Sequence, residues 1–350
     1  MFARRSPKPS GEVPMKTVLC EKLGIEVPII LAPMGLAAGP RLAAAVSNAG
    51  GLGTLAPWLA DIDVVRRQIR ETRTLTSRPF AVNLNMAYPQ EERLEACLEE
   101  GAPAISFFWH DPGKLVARAK AGGAVVLQTV GNASDARAAA DNGVDIVVAQ
   151  GWEAGGHVCG TVATLPLIPA VVDAVGPVPV VAAGGIADAR GLAAVLALGA
   201  AGAWIGTRFL AAREAAIHPE YQACVLAATE NDTAYLEDLF DIETWPAAPH
   251  RALRNSTVMA WEAAGRPPAG KRPGEGDVLA ALPNGRQVVR YRGSTPVAGV
   301  TGAIEALSMW AGQSVALVRK VLPAAEIVRE INDGSDAILR RLSGQLAAVR

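Results

Sequence analysis

The fold class predicted by this sequence is α/β, a (β/α)8 TIM barrel with a small, mainly helical cap inserted after strand 8. Three observations predict it. Eight apolar strand candidates, each followed by a helical pattern, recur at spacings of about 20 to 35 residues, which argues for a parallel sheet. Eight is the number that closes such a sheet, and the 350 residues hold a barrel plus an insertion. The competing doubly wound open sheet would carry a glycine-rich fingerprint after its first strand, whereas this chain has Pro33-Met34-Gly35-Leu36 there.

Residues 1–16, rich in Pro, Ser and charge, read as a flexible leader. The first strand is Pro28 to Ala32, followed by a helix from Pro40, which suits a first helical turn, to Asn48. Gly51 to Leu55 is the second strand, and Ile62 to Thr72 its helix, opened by Asp61 as N-cap. Phe80 to Asn85 is the third strand, with Asn83 and Asn85 at alternate positions on one face, and Glu91 to Glu100 its helix. Ala104 to Trp109 and Ala124 to Thr129 are the fourth and fifth strands, with helices reaching Ala121 and Asn142. The β-branched run from Asp145 to Val148 is the core of the sixth, and its helix lies near Leu165 to Val175. Val178 to Ala183 is the seventh, with Asp188 capping a helix to Leu198, and Ala203 to Gly206 is the eighth.

After Phe209 the pattern changes. Residues 214–240 read as helical, Trp245 to Arg254 as a Pro-rich connection, and Arg266 to Gly276 as a surface loop. Val278 to Arg292 is a candidate hairpin turning at Asn284-Gly285. Helical pattern resumes at Gly302 and runs, broken near Pro323, to the end. The expected organisation is a barrel from 17–213 and 321–350, and a cap or substrate subdomain from 214–320.

Composition narrows the function. Half the residues are hydrophobic, and 33 Lys and Arg stand against 34 Asp and Glu, so no basic nucleic-acid surface or polybasic membrane anchor is expected. Arg4, Arg5 and Lys8 precede no apolar stretch of signal-peptide type. Cys20, Cys97, Cys159 and Cys224 lack metal-type spacing and read as reduced thiols of a cytoplasmic protein. No metal site is expected.

In a barrel, the C-terminal ends of the strands face the active site. That rule collects Met34, Asn83, Asn85, Trp109, Gln128, His157, Gly184, Gly185, Gly206 and Thr207. The Gly184-Gly185 and Gly206-Thr207 pairs follow strands seven and eight, where barrels commonly hold a phosphate on backbone N–H groups. Tight βα turns are the plainer explanation for either pair alone. His157 follows Gly155-Gly156 at a strand mouth, and a near-neutral imidazole there suits a general base. The plainer alternative is a structural histidine bonded to a carbonyl. Glu153 reads as a partner for a basic side chain or a backbone N–H, Cys159 as a small filler, and His218 and His250 as chemically idle residues of the cap. Trp245, Trp261 and Met259 read as the cap's small core.

Several of these segments resemble the nitronate monooxygenase family. They are Ala32-Pro33-Met34-Gly35, Val82-Asn83-Leu84, Glu153-Ala154-Gly155-Gly156-His157, Ala183-Gly184-Gly185-Ile186, Ile205-Gly206-Thr207-Arg208-Phe209 and Trp310-Ala311-Gly312-Gln313-Ser314. They run in order over nearly the whole chain from about residue 17, and FMN-dependent enoyl-ACP reductases share them. The resemblance implies FMN, its phosphate at Gly184, Gly185, Gly206 and Thr207 and its ring against Pro33-Met34-Gly35, with His157 the catalytic base. Ala183, Asn83, Gln128, Gly155 and Gly156 would be further cofactor contacts, polar plugs in the barrel core being the plainer alternative for Asn83 and Gln128. Trp109 and His110, by their place at the end of the fourth strand, are candidates for the substrate pocket, and His110 reads equally as a surface-loop residue. The activity implied first is oxidation of alkyl nitronates, and of neutral nitroalkanes, by O2 to a carbonyl compound and nitrite. An FMN-dependent NAD(P)H reductase of the enoyl-ACP or quinone type is the alternative, and a non-catalytic flavin or sugar-phosphate binder the third. The expected partners are a small-molecule substrate and O2, in a monomer or homodimer.

Overall fold

The computed structural model describes residues 16–348. Most of the expected leader therefore lies outside the described residues. Eight parallel strands form one sheet: β1 (Ile29–Leu31), β2 (Gly53–Leu55), β3 (Phe80–Asn85), β4 (Ala104–Phe108), β5 (Val125–Val130), β6 (Ile146–Gln150), β7 (Val180–Ala183) and β8 (Gly202–Ile205). From β2 to β8 each pairs with its neighbours in sequence, and β8 pairs with β1. The remaining seam closes where Leu31 N–H donates to Leu52 O at 2.9 Å and Leu52 N–H to Ile29 O at 3.0 Å. The sheet is an eight-stranded parallel barrel.

Helices follow the strands as α1 (Pro40–Asn48), α2 (Ile62–Leu75), α3 (Glu91–Glu99), α4 (Leu115–Ala121), α5 (Ala133–Asp141), α6 (Thr164–Val175), α7 (Ala189–Ala197) and α8 (Ala324–Ala348). The last packs on both α7 and α1, completing the outer ring. Asp188 accepts from Arg190 N–H and Gly191 N–H and so caps α7 through its side chain. Asp61 occupies the N-cap position of α2 without a side-chain capping bond.

Strand parity divides the core in two. Ile29, Leu31, Val82, Leu84, Ile105, Phe107, Val126 and Val147 face outward and pack with the helices. Ile30, Leu52, Ala81, Ala104, Leu127, Ile146, Val148, Val181 and Trp204 face inward. A short helix, Val18–Leu23, brings Leu19, Cys20 and Leu23 into that inner cluster. Toward the C-terminal mouth the inward positions turn polar, with Thr54, Asn83, Asn85, Ser106, Thr129 and Gln150 all buried.

The segment 214–320 is less helical than its sequence pattern suggests. Its helices are Pro219–Ala227 and Ser256–Ala263. Thr233–Leu236, expected as helix, is a strand paired antiparallel with His250–Leu253, and that strand lies inside the expected Pro-rich connection. A second antiparallel sheet contains the expected hairpin, Val278–Ala281 against Gln287–Val289, with Thr301–Gly302 on its other edge. Where helix was expected from Gly302, two 3-10 turns stand instead, Ile304–Ala306 and Gln313–Leu317. Propensity yields here to pairing, because strand 250–253 offers one edge to 233–236 and the other to Gly156–His157.

Candidate active site

The loop after β6 turns back at Gly151 and runs along the mouth as the two-residue strand Gly156–His157, joining barrel to cap. Glu153 anchors the turn, its carboxylate accepting from Thr164 N–H at 2.9 Å and from the Thr164 hydroxyl at 3.0 Å. It is a structural acid, occupied at the start of α6. Arg251 holds the other side, its guanidinium 4.5 Å over the Trp152 ring and donating to Trp152 O at 3.1 Å. Gly155 sits where a side chain cannot: a Cβ there would lie 2.4 Å from Gly312 N and 2.6 Å from Ala311 C. The turn is thereby packed backbone to backbone against 311–312.

His157 itself lies among aromatic rings. Its centroid is 3.9 Å from Trp245, 5.4 Å from Trp310, 5.5 Å from His250 and 6.4 Å from Trp109. The residue keeps partial exposure, but its Nε2 is buried and has no hydrogen-bond partner. Burial first, and then the neighbouring His250, hold its pKa well below the usual imidazole value. A neutral imidazole with an unengaged ring nitrogen is suited to accept a proton.

His250 differs. Its Nε2 accepts from Phe240 N–H at 3.2 Å, which leaves the proton on Nδ1, 3.0 Å from Ala248 O. Both nitrogens are engaged.

Asn83 faces inward and donates to Ser106 O and Ser106 Oγ, each at 3.2 Å. Gln128, read from sequence as a pocket residue, aligns with Phe107 and Val147, both on the outward face. Strand register therefore places it on the outward face, away from Asn83, which runs against the cofactor contact expected of it, although its Oε1 is buried without a hydrogen-bond partner. Trp109 follows β4 in the left-handed region, φ 72, a costly conformation for a bulky residue, with its ring 4.8 Å from Trp245. His110 is exposed, packed edge-on to Trp109 at 6.4 Å. Sequence reasoning left Trp245, His250 and Trp310 out of the site.

The end of the mouth formed by Gly184, Gly185 and Thr207 is built largely from backbone. Gly184 has φ +96, and a Cβ on it would meet Gly151 O at 3.0 Å and Ala154 N at 3.1 Å. Gly185 follows at φ +73 with nothing nearer than 3.8 Å to its Cβ position. The Thr207 hydroxyl accepts from Gly312 N–H at 2.9 Å, leaving its own proton to donate. Asn85 Nδ2 and Thr54 Oγ1, both inward and buried, lack partners. Open backbone at one end, and unengaged polar atoms and aromatic rings across the mouth, fit a flat cofactor carrying a phosphate.

A nitronate monooxygenase family profile matches residues 16–92 and 84–334. The chain belongs to the nitronate monooxygenase family. Its relatives divide by activity. A (3aS,4S,5R,7aS)-5-hydroxy-7a-methyl-1-oxo-octahydro-1H-indene-4-carboxyl-CoA dehydrogenase from Rhodococcus jostii is 40% identical over 72% of this chain and 69% of its own. A nitronate monooxygenase from Pseudomonas aeruginosa is 34% identical over 88% of this chain and 96% of its own. Among solved structures, FabK from Thermotoga maritima superposes with a TM-score of 0.77 at 31% identity, over 95% of this chain and 99% of that one. The chain is an oxidoreductase of the nitronate monooxygenase family, and its family and structural relatives imply a flavin. Among the described residues no helix is long and apolar enough to cross a membrane, and no group of His, Cys, Asp and Glu could hold a metal.

Proposed function

We propose that this protein binds FMN and oxidises a carbon acid, with His157 as the base. The observation that carries this reading is the buried, unengaged Nε2 of a neutral imidazole ringed by Trp109, Trp245 and Trp310. We assign the substrate class as alkyl nitroalkanes and their nitronates, oxidised by O2 to a carbonyl compound and nitrite. The likeness to nitronate monooxygenases over about nine-tenths of the chain supports that choice.

FMN, when bound, supplies the acceptor for the substrate's electrons. Backbone at Ala183, Gly184, Gly185 and Gly206, with the Thr207 hydroxyl, would hold its phosphate, and Pro33-Met34-Gly35 and the inward Asn83 would border its ring. Gly155 and Gly156 would let the backbone of the β6 loop come close to it. His157 Nε2 takes the proton from the carbon beside the nitro group. A nitronate has already lost that proton and needs only positioning. The tryptophans exclude water, which keeps the imidazole neutral and ready to act as base.

A second reading has its own observation: the 40% identity to a CoA-thioester dehydrogenase. There the same base would remove a proton beside the thioester carbonyl. One experiment separates these from a nicotinamide-dependent reductase. The flavoprotein is mixed anaerobically with ethyl nitronate, with an acyl-CoA, or with NADH or NADPH, and flavin absorbance is followed. Bleaching by the nitronate, then O2 uptake and nitrite on admitting air, is the expected result. Bleaching by the thioester alone supports the second reading, and fast bleaching by nicotinamide without nitrite refutes both. His157→Ala is expected to abolish nitroethane turnover, a loss of roughly 10²- to 10⁴-fold, while sparing part of the nitronate reaction. Equal loss on both, with FMN bound, removes the base assignment.

A further inference from the structure

We infer that Gln150 is the positioning residue of His157, holding the base through its main chain; this rests on the assignment of His157 above. Gln150 is the last residue of β6, on the inward face shared by Ile146 and Val148, and is buried. Its Nε2 donates to His157 O at 3.0 Å, and its Oε1 accepts from Cys159 N–H at 3.0 Å and from the Cys159 thiol at 3.1 Å. The primary amide thus acts as an extra peptide group, bonded on either side of Val158. The opposite edge of the same segment is held by the cap, where His157 pairs with His250 and Val158 N–H donates to Pro249 O at 2.8 Å. Residues 157–159 are therefore gripped along both edges.

The grip matters because the imidazole has no hydrogen bond at Nε2 to orient it. Its ring is placed by where its Cα sits and by the rings around it. Removing one edge frees the backbone to shift, and a displacement of about 1 Å at a reacting group can cost on the order of 10²-fold in rate. Only a side chain offering a donor and an acceptor about two atoms apart meets both groups. Leu offers neither, and an ionised Glu offers acceptors only, one of them facing His157 O. A protonated Glu again offers one of each.

That chemistry sets the test. Holoenzyme carrying Gln150→Leu, Gln150→Glu or His157→Ala is assayed with nitroethane, whose carbon must be deprotonated. The titratable groups facing the amide and the loop are Cys159, pushed up to about 12 by burial with Asp135 adding to it, His157, held well below 6.5, and His250, lowered to about 4. Between about pH 5.5 and 8, Cys159 and His250 keep one charge state, and His157 is common to parent and variant, so the ratio of their rates is read rather than either rate alone. With rates taken per bound flavin, Gln150→Leu is expected to lower kcat about 10- to 100-fold with KM within about threefold. The rate of Gln150→Glu relative to the parent should rise at least about fivefold as pH falls across that range, because the acid form restores the amide's bonding pattern. A readout that needs no substrate accompanies it. The His157 imidazole, followed by NMR in the resting holoenzyme, should titrate nearer 6.5 in Gln150→Leu as the loosened loop admits water.

A parent-like kcat and an unmoved His157 titration in Gln150→Leu overturn the inference. So does a pH-independent ratio for Gln150→Glu, which decides the matter if the Leu protein does not fold. Full activity in His157→Ala instead overturns the base assignment, and positioning of a base falls with it. Loss confined to His157→Ala removes the role of Gln150 alone.

Discussion

Replacing His250 with Gln should flatten the acid side of this protein's stability curve. His250 has 0% exposure, with Nε2 accepting from Phe240 N–H and Nδ1 donating to Ala248 O. A second proton would need to enter at Nε2, against an N–H that can only donate. Burial lowers the pKa from 6.5 to about 4. The unfolded chain therefore binds a proton below about 6.5 that the folded chain refuses until about 4, so stability is fully present above 6.5 and lost as pH falls toward 4. At pH 5 the difference is one and a half pH units, or about 2 kcal/mol, rising to about 3 kcal/mol near pH 4. Gln supplies a donor and an acceptor and does not titrate in this range. Urea unfolding of the holoenzyme, followed by tryptophan fluorescence at about pH 8 and about pH 5, measures the loss for each protein. The parent should lose at least about 2 kcal/mol more than His250→Gln, because removing His250 also relieves part of the lowering on His157. Equal losses would refute the claim that His250 is buried neutral.

Two further outcomes concern the site. Gly184→Val should raise the FMN dissociation constant at least about tenfold and cost roughly 1–3 kcal/mol of stability, because φ +96 and the nearby Gly151 O both exclude a side chain; flavin fluorescence titration and thermal unfolding check these. If His157 is the base, kcat/KM for neutral nitroethane should hold level as pH falls through 6.5, since its pKa lies well below that value. A profile that breaks at about 6.5 would place the base in water.

The barrel was legible because each strand and helix signals itself within about twenty residues, through β-branched runs, caps and glycines. Parity was not. Gln128 looked like a mouth residue because it is polar and close to a strand's end, but which face it takes depends on pairing with Phe107 and Val147. One residue of register exchanges the two faces, and no local pattern fixes it. Thr54, Thr129 and Gln150 lie on the inward face for the same reason, and nothing local marks them. The cap is harder to read still. Residues 233–236 have enough helical character to continue a helix, and they become a strand only because 250–253 is there to pair with.

The aromatic wall shows what sequence distance hides. His157 meets Trp245 and His250 across roughly ninety residues, and Trp310 across about one hundred and fifty, so nothing local marks those rings as its neighbours. The link is the strand 250–253, which takes Gly156–His157 as its edge partner. His157 is thus seated in the cap's sheet while its chain is anchored in the barrel through Glu153 and Gln150. A substitution that unpairs 233–236 from 250–253 would move His157, the proposed base, without touching Gly184 and Thr207, where we place the phosphate. Losses of turnover with FMN retained should therefore cluster in the cap sheet, and losses of FMN at Gly184 and Thr207.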